Sequence, residues 1–452
     1  MPRPGGAGVL RRSGAAMLTW RPVALLAVLA VALPLWPNPQ LGVACSVAAV
    51  LALSIVDMVA AAPISRVRLS RTGDTRVRLG ESATVRLHVR NEATRPLRAT
   101  VRDAWVPSAG ADRPVRQVSL PAGGSATITM TLTPIRRGDR PARRVTVRSY
   151  GPLRFGYRQA SARAAAAMTP RWRLRVLPRF SARRYLPEKL ARLRVLDGAV
   201  TIRGRGQGTE FDALREYVPG DDVRSIDWRG TARSADVLVR TWRPERDRRV
   251  LCVLDTGRTA AVRIGDEPRL DAALDACLLL AAVASRGGDR VDLLAADTEV
   301  RAAVRGAGAA SLLPRFADAL APLTPALVET DFELVTGEIL RTERKRSLVV
   351  LFTELAPGAL VEGLLPVLPM LTDRHTVLLA ATHDDTLDRL TDRHDGLPEV
   401  YGAAAAERAL AERRRIADAL RRNGVVVVDA AAAEFASAVT DRYLDLKATG
   451  RL

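Results

Sequence analysis

Four regimes of hydrophobic and polar patterning succeed one another along this chain. Residues 18–36 are apolar apart from Thr19, Arg21 and the prolines, and residues 41–62 are apolar again, with Asp57 near their end. Each run is about the 20 residues that a membrane-spanning helix needs, and Pro37-Asn38-Pro39-Gln40 between them reads as a turn. Arginines flank the outer ends of the pair (Arg11 and Arg12; Arg66, Arg68 and Arg71), and none lies in the connection. Arginine-rich flanks stay cytoplasmic. The pattern therefore predicts a helical hairpin of two spans over residues 1–63, in a multi-pass cell-membrane protein whose main body is cytoplasmic. A signal peptide on the first run is the competing reading; the second run directly behind it argues against that.

From 64 to 170 the period falls to two. Val85-Arg86-Leu87-His88-Val89, Ile128-Thr129-Met130-Thr131-Leu132 and Val145-Thr146-Val147 alternate strictly, and Gly73-Asp74, Asn91-Glu92, Gly123-Gly124 and Gly138-Asp139 punctuate them. Short alternating strands with turn signals predict a β-sandwich of immunoglobulin or fibronectin type. His88 falls on the polar phase and reads as a surface residue. Residues 161–170 are alanine-rich, a linker or short helix, and residues 172–178 read as one more strand. From 249 to 452 apolar runs and helical periodicities alternate. Strands are predicted at 249–254, 291–296, 300–304, 347–352, 376–381 and 424–429, and helices at 269–285, 309–321, 331–343, 358–370, 403–422 and 431–447. Such alternation demands a mostly parallel, doubly wound α/β sheet with helices on both faces, and the close pair at 291–296 and 300–304 suggests an antiparallel edge hairpin. Residues 171–248 stand apart as a segment of their own.

Charge sharpens this division. Residues 1–248 hold 44 Lys and Arg against 18 Asp and Glu, while residues 249–452 hold 25 against 31. The arginines of the first half interleave with strand residues, and no basic helix or aromatic platform accompanies them, so nucleic acid is not the expected partner. An anionic membrane surface fits the basic half better. Cys45, Cys252 and Cys277 show no paired spacing and read as free thiols in a reducing compartment.

Residues 204–259 carry the densest pattern. Gly204, Gly206 and Gly208 lead into Glu210-Phe211. Leu214-Arg215 and Tyr217 precede Pro219-Gly220-Asp221-Asp222, and Arg224, Ile226, Asp227 and Trp228 follow. A strand then delivers Asp255-Thr256-Gly257-Arg258-Thr259 to its C-terminal tip, where ligands bind in open α/β sheets. Charges among Tyr217, Ile226, Trp228 and Trp242 read as a partly buried ion network. In it Asp221, Asp222, Arg224, Asp227 and Arg233 lock the segment against the sheet, and Asp227 pairs with Arg224 or Arg233. The functional reading, extended to Glu210, Arg215, Trp228 and Arg258, is a partner-docking surface or a phosphate-sensing site. The glycine run lacks the P-loop spacing and reads as a flexible lead.

In this order of motifs the chain resembles the domain-of-unknown-function 58 family, bacterial proteins similar to von Willebrand factor A domains and often encoded beside MoxR-type AAA+ ATPases. The resemblance implies a von Willebrand A-like sheet, and it makes residues 255–259 the counterpart of a metal-ion-dependent adhesion site with the pattern Asp-x-Ser-x-Ser. Thr259 supplies one hydroxyl of that pattern; Gly257 supplies none. Arg258 brings a positive charge towards the same place, and Glu354, at the tip of the 347–352 strand, stands where the pattern expects an aspartate. Mg²⁺ wants near-octahedral oxygen ligands, so Asp255, Thr259 and Glu354 form at most a degenerate Mg²⁺ site. The competing reading, that Asp255 caps the following segment or pairs with an arginine, is preferred. His383, Asp384, Asp385 and His394 share one loop and read as solvated polar residues rather than a zinc site. No nucleophile elbow or catalytic carboxylate pair appears. The expectation is a non-enzymatic, membrane-anchored adaptor or scaffold that presents its von Willebrand A-like domain to a cytoplasmic partner. The resemblance implies a MoxR-type AAA+ ATPase as that partner, in chaperone-like assembly or envelope processes. The alternative is a metal-dependent hydrolase using Asp255 and Glu354.

Overall fold

The alternating segments fold as a period-two pattern requires. In the computed structural model, which describes residues 15–203, 210–219, 221–234, 236–243, 248–392 and 396–452, the chain forms two units that meet between Leu177 and Pro178. The first unit holds β1 (Ala15–Leu18), α1 (Arg21–Ala32), α2 (Pro39–Ala60), β2 (Val67–Gly73), β3 (Arg76–Arg78), β4 (Ala83–Asn91), β5 (Leu97–Trp105), β6 (Val115–Leu120), β7 (Ser125–Leu132), β8 (Gly138–Tyr150), β9 (Gly156–Gln159), α3 (Ala162–Met168) and β10 (Arg173–Leu177). Strands β2, β4 and β7 make one sheet; β1, β9, β8, β10 and β3, with β5 and β6 joined through β8, make the other. The inward phase of β4 and β7 (Leu87, Val89, Ile128) packs on that of β5 and β8 (Leu97, Val101, Val145, Val147). Each such buried side chain contributes about 1.5–3 kcal/mol. The 172–178 strand is β10, paired with β8 and β3, so the first unit extends past residue 170.

One ion pair crosses this core. Arg71 on β2 donates to Asp103 on β5 at 2.6 Å, with both side chains almost wholly buried. The second Arg71 amino group donates to the Pro170 carbonyl at 2.9 Å, and the guanidinium lies over the Trp105 ring.

The two apolar runs are not equal. α2 has 22 residues, about 33 Å at 1.5 Å per residue. Among the described residues it is the one helix long and apolar enough to cross a membrane. α1 has 12 residues, about 18 Å. It passes into a 3₁₀ turn at Leu33–Leu35, where Pro34 cannot supply the next helical N–H. The expected hairpin of two full spans is thereby reduced to one full-length helix packed on a shorter one. Asp57, near the end of α2, is buried and accepts the backbone N–H groups of Leu153 at 2.7 Å and Phe155 at 2.8 Å. A Cβ at Gly151 would meet this aspartate at 2.1 Å, so the sandwich loop closes on α2 only with glycine there.

The second unit begins with α4 (Leu186–Arg203), β11 (Glu210–Glu216), α5 (Trp228–Thr231) and β12 (Leu238–Arg243). The α/β body follows: β13 (Arg249–Asp255), a small hairpin of β14 (Arg263–Ile264) and β15 (Glu267–Pro268), α6 (Arg269–Arg286), β16 (Arg290–Ala296), β17 (Val300–Val304), α7 (Ala309–Leu320), α8 (Phe332–Thr342), β18 (Leu348–Phe352), α9 (Leu365–Thr372), β19 (Thr376–His383), α10 (Asp385–Thr391), α11 (Leu397–Arg422), β20 (Val426–Ala431) and α12 (Ala432–Ala448). The sheet order is β17-β16-β13-β18-β19-β20. Only β17 runs antiparallel, as the edge hairpin predicts. α6, α7 and α12 cover one face around Leu274, Phe316 and Tyr443; α8, α9 and α11 cover the other around Phe332, Leu368 and Leu420. Central strands buried on both faces need continuous apolar runs, which β13, β18 and β19 supply. The helix expected over 358–370 is a π-helical turn at Ala359–Leu364 followed by α9, because Pro366 and Pro369 remove two helical donors.

Candidate functional site at the strand tips

Asp255 ends β13 and is 5% exposed. One carboxylate oxygen accepts the Gly257 N–H at 2.8 Å and the Thr330 hydroxyl at 2.5 Å. The other accepts Thr353 at 2.6 Å and Thr259 at 3.2 Å. Four donors from three separate stretches of chain thus converge on one buried carboxylate. Gly257 does not leave a hydroxyl missing: a Cβ there would sit 2.2 Å from the Thr330 hydroxyl, which occupies that space. Thr330 and Thr353 were not expected, since nothing in the local sequence marks a single threonine as aimed at a distant aspartate.

Two further expectations are corrected. Arg258 does not bring its charge over Asp255; it pairs with Glu329, and both side chains are more than half exposed. The cation beside the site is Arg269, which donates to the Thr259 carbonyl at 2.8 Å. Glu354 is held between two guanidiniums, ion-paired with Arg269 at 2.7 Å and with Arg413 of α11. Arg413 in turn grips Asp429 of β20 at 2.6 Å. Asp429 also faces His383 of β19 at 3.2 Å, and His383 contacts Asp388 of α10 at 2.9 Å. A ladder of alternating charge therefore runs across the tips of β18, β19 and β20. The hydrogen bond to Asp429 holds the His383 imidazole above its ordinary value. Burial lowers Arg269. Arg413 is buried too, which alone would lower it, yet Asp429 and Glu354 raise it.

Asp255, Thr259, Arg269, Thr353 and Glu354 line a cavity of about 20 Å³, room for about one water molecule. The Thr382 hydroxyl faces this region without a hydrogen-bond partner. As a test of fit for a hard divalent cation, the threonine hydroxyls and Asp255 are of the right donor type, but Glu354 is committed to two arginines and Arg269 opposes a second cation.

The other constellation lies on the β11–β12 hairpin. Arg215 donates to Asp221 at 2.5 Å and Asp227 pairs with Arg240 at 3.1 Å. Asp227 also accepts the Arg229 N–H, and Asp222 the Arg224 N–H. Asp227 is therefore not paired with Arg224 or Arg233. Both of those are exposed, with no carboxylate partner among the described residues. Trp228 is 69% exposed rather than packed among the charges, and the ion pairs staple the hairpin to itself instead of to the sheet. Glu210 starts β11. Gly204, Gly206, Gly208, Gly220 and His394 lie outside the described residues, as do the side chains of Glu210 and Trp242.

Comparison with known proteins now bears on this geometry. Residues 213–428 match the family described as "Protein of unknown function DUF58". This segment is similar to the DUF58 family. Its bounds run from β11 to β20, so the matched region takes in the stapled hairpin, Asp255 and the charge ladder except Asp429, which lies one residue beyond it, and leaves out the sandwich, the apolar helices and α12. Uncharacterized proteins of Mycobacterium bovis and Mycobacterium tuberculosis are each 30% identical over 153 residues, 33% of this chain and 48% of theirs. The chain thus spans about half the length of the curated relatives it matches. Among solved structures, a CARDB domain from Pyrococcus furiosus is 13% identical, covering 25% of this chain and 94% of its own at a TM-score of 0.16. A PKD domain of an M14-like peptidase from a Thermoplasmatales archaeon is 11% identical, covering 24% and 92% at a TM-score of 0.15.

Proposed function

We propose that this chain is a membrane-anchored adaptor whose α/β unit, read as von Willebrand A-like, presents the β11–β12 hairpin and the strand tips of the large sheet to a cytoplasmic protein. The observation that carries the reading is Trp228. A tryptophan 69% exposed, on a hairpin held in shape by its own ion pairs, with Arg224 and Arg233 beside it in sequence, is the kind of anchor that dominates protein interfaces. The strand tips support the same reading. A cavity that holds one water gives a substrate no room, and Glu354, bound by two arginines, is not free for the hydrolase alternative. Anchoring rests on α2, with α1 packed beside it as a second, shorter leg. Strand β1 before α1 and strand β2 after α2 both belong to the sandwich, which brings the two outer ends of the helix pair to one side. The arginine-rich flanks put that side in the cytoplasm.

The family resemblance adds a MoxR-type AAA+ ATPase as the partner. The test is binding of that purified ATPase from the same genome to the full chain in detergent. Trp228→Ala combined with Arg224→Glu is expected to weaken binding at least about tenfold, the loss of a single interface hot spot, without moving the melting temperature. Unchanged affinity would sink the docking assignment.

A further inference from the structure

Beside the foot of α1, the outer face of the seven-stranded sheet holds a cavity of about 440 Å³ that the adaptor reading does not use. Its floor carries the outward residues of β5 and β6, among them Arg98, Thr100 and Ser119. Tyr150 and Arg154 form a wall, and Trp20 and Arg21 form the rim. Three guanidiniums therefore share one cavity, and no carboxylate lines it. Arg21, Arg98 and Arg154 form no ion pair among the described residues. Like charges gathered this way repel one another unless an anion sits among them.

Two of the guanidiniums are held in place by hydrogen bonds. Arg21 spends one N–H on the Leu153 carbonyl at 3.0 Å, and Arg98 spends one on the Pro152 carbonyl at 3.4 Å. The rest of each fork is left for a ligand. Arg154 sits in a left-handed turn at φ 58°, and its carbonyl accepts the Thr19 hydroxyl at 2.8 Å. The loop that carries Arg154 is thus tied to the start of α1. Planar forks of this kind match phosphate oxygens two at a time, and the hydroxyls of Thr100, Ser119 and Tyr150 add neutral donors. Trp20, 74% exposed, stands at the start of an apolar helix, the place where tryptophan marks the headgroup level of a bilayer.

We infer that this cavity binds a phosphate-ester anion, and that its source is the headgroup of an anionic phospholipid in the leaflet from which the helices emerge. The choice of a lipid source rests on the anchoring proposed above; the anion site itself does not. Arginines that merely obey the charge rule for membrane flanks need no cavity and no stoichiometry. This site requires both.

The test uses the full chain purified in a zwitterionic detergent. It is offered phosphatidylglycerol or phosphatidylcholine in mixed micelles, and retained lipid is counted by native mass spectrometry. One phosphatidylglycerol per chain, in preference to phosphatidylcholine, is expected. Arg98→Gln with Arg154→Gln should lower retention at least about tenfold, since each charge-assisted bond is worth a tenfold factor or more. Arg86→Gln with Arg90→Gln, the same charge change on the three-stranded sheet, should not. If the first pair fails to fold, Arg98→Lys keeps the charge, loses the fork and should still cut retention. Equal retention of the two lipids, wild-type retention by the Arg98/Arg154 pair, or an equal loss in the Arg86/Arg90 pair would each overturn the site. Inorganic phosphate that displaces the lipid and raises the melting temperature would keep the anion site and overturn the lipid source. Extraction of the chain from membranes at alkaline pH would separately defeat the anchoring and with it the lipid source. The cavity would then stand or fall with the phosphate titration, in which no rise in melting temperature overturns it.

Discussion

Two aspartate–arginine pairs of this chain make opposite use of the same chemistry. Arg71 and Asp103 meet at 2.6 Å between the sheets of the sandwich, with side-chain exposures of 0% and 4%. Arg240 and Asp227 meet at 3.1 Å on the hairpin, with exposures of 44% and 15%. In the sandwich, burial outweighs attraction: it raises Asp103 and lowers Arg71, each toward its neutral form. On the hairpin the hydrogen bond from Arg240 dominates and holds Asp227 below the usual carboxylate range. The comparison teaches that the most motif-dense stretch of the chain is not its most stabilising one. The sandwich pair holds a core together; the hairpin pairs hold a surface in shape.

The strongest attempt to break this contrast is Asp103→Ala. It leaves Arg71 charged and buried, with only the Pro170 carbonyl and the Trp105 ring for company. We expect a loss of about 3–5 kcal/mol, read by denaturant unfolding of the full chain in detergent. Leucine at both positions should recover most of it, because two buried charges then no longer need desolvation. Little loss on Asp103→Ala would mean that water reaches the pair and the contrast is false.

Asp275 sharpens the comparison from within the α/β unit. It lies on α6, and both its oxygens take the Ala182 N–H, at 3.0 and 3.2 Å. Burial raises its pKa from 3.8 to about 6. Because the folded state holds the proton more tightly than the unfolded chain does, this group's stabilisation is full below the unfolded value of 3.8 and is lost as pH rises through about 6. The difference amounts to at most about 3 kcal/mol. Asp275→Asn should flatten the melting temperature across that window and raise it at pH 7. A wild-type melting temperature that does not fall between pH 4 and pH 6 would refute the assignment.

What could be read in the sequence follows the same line between buried and exposed. The central strands of the large sheet, β13, β18 and β19, were legible because a strand buried on both faces must be an unbroken apolar run, as in Val250-Leu251-Cys252-Val253-Leu254. The sandwich strands were legible from their period of two, and Asp255 from its place after such a run. The partners that converge on Asp255 were not. Thr330 and Thr353 arrive from distant stretches of chain, and no local pattern tells a threonine that donates to a buried aspartate from one that meets water. Arg413 hid among Arg414 and Arg415 of α11, although it alone of the three is buried. β1 lies almost wholly ahead of the apolar run, where no element is predicted, and α4, with basic residues among its leucines, passed as part of the segment 171–248. The hairpin misled in the other direction: aspartates and arginines close in sequence look like a network, and only their exposure shows that each pair is local.

The smallest expected effect is the most discriminating. Asp227→Ala removes the Arg240 pair and the acceptor for the Arg229 N–H, and if the sequence-based network were real it would strand a buried cation. In the structure Arg240 turns to solvent and loses little. The hairpin keeps its ladder between β11 and β12, its Arg215–Asp221 pair, and the bond from the Leu238 N–H to the Thr231 hydroxyl at 3.0 Å. The melting temperature of the full chain should therefore stay at the wild-type value. What changes is local order around Trp228, the first residue of α5, whose N-cap is Asp227 itself. Hydrogen exchange of residues 228–232 should quicken while that of β13 does not, and binding of the candidate ATPase should weaken in step. A global drop in melting temperature would put Asp227 back in a buried network and erase the difference between the two pairs. Unchanged exchange at 228–232 would instead show that the cap does not hold Trp228 in place.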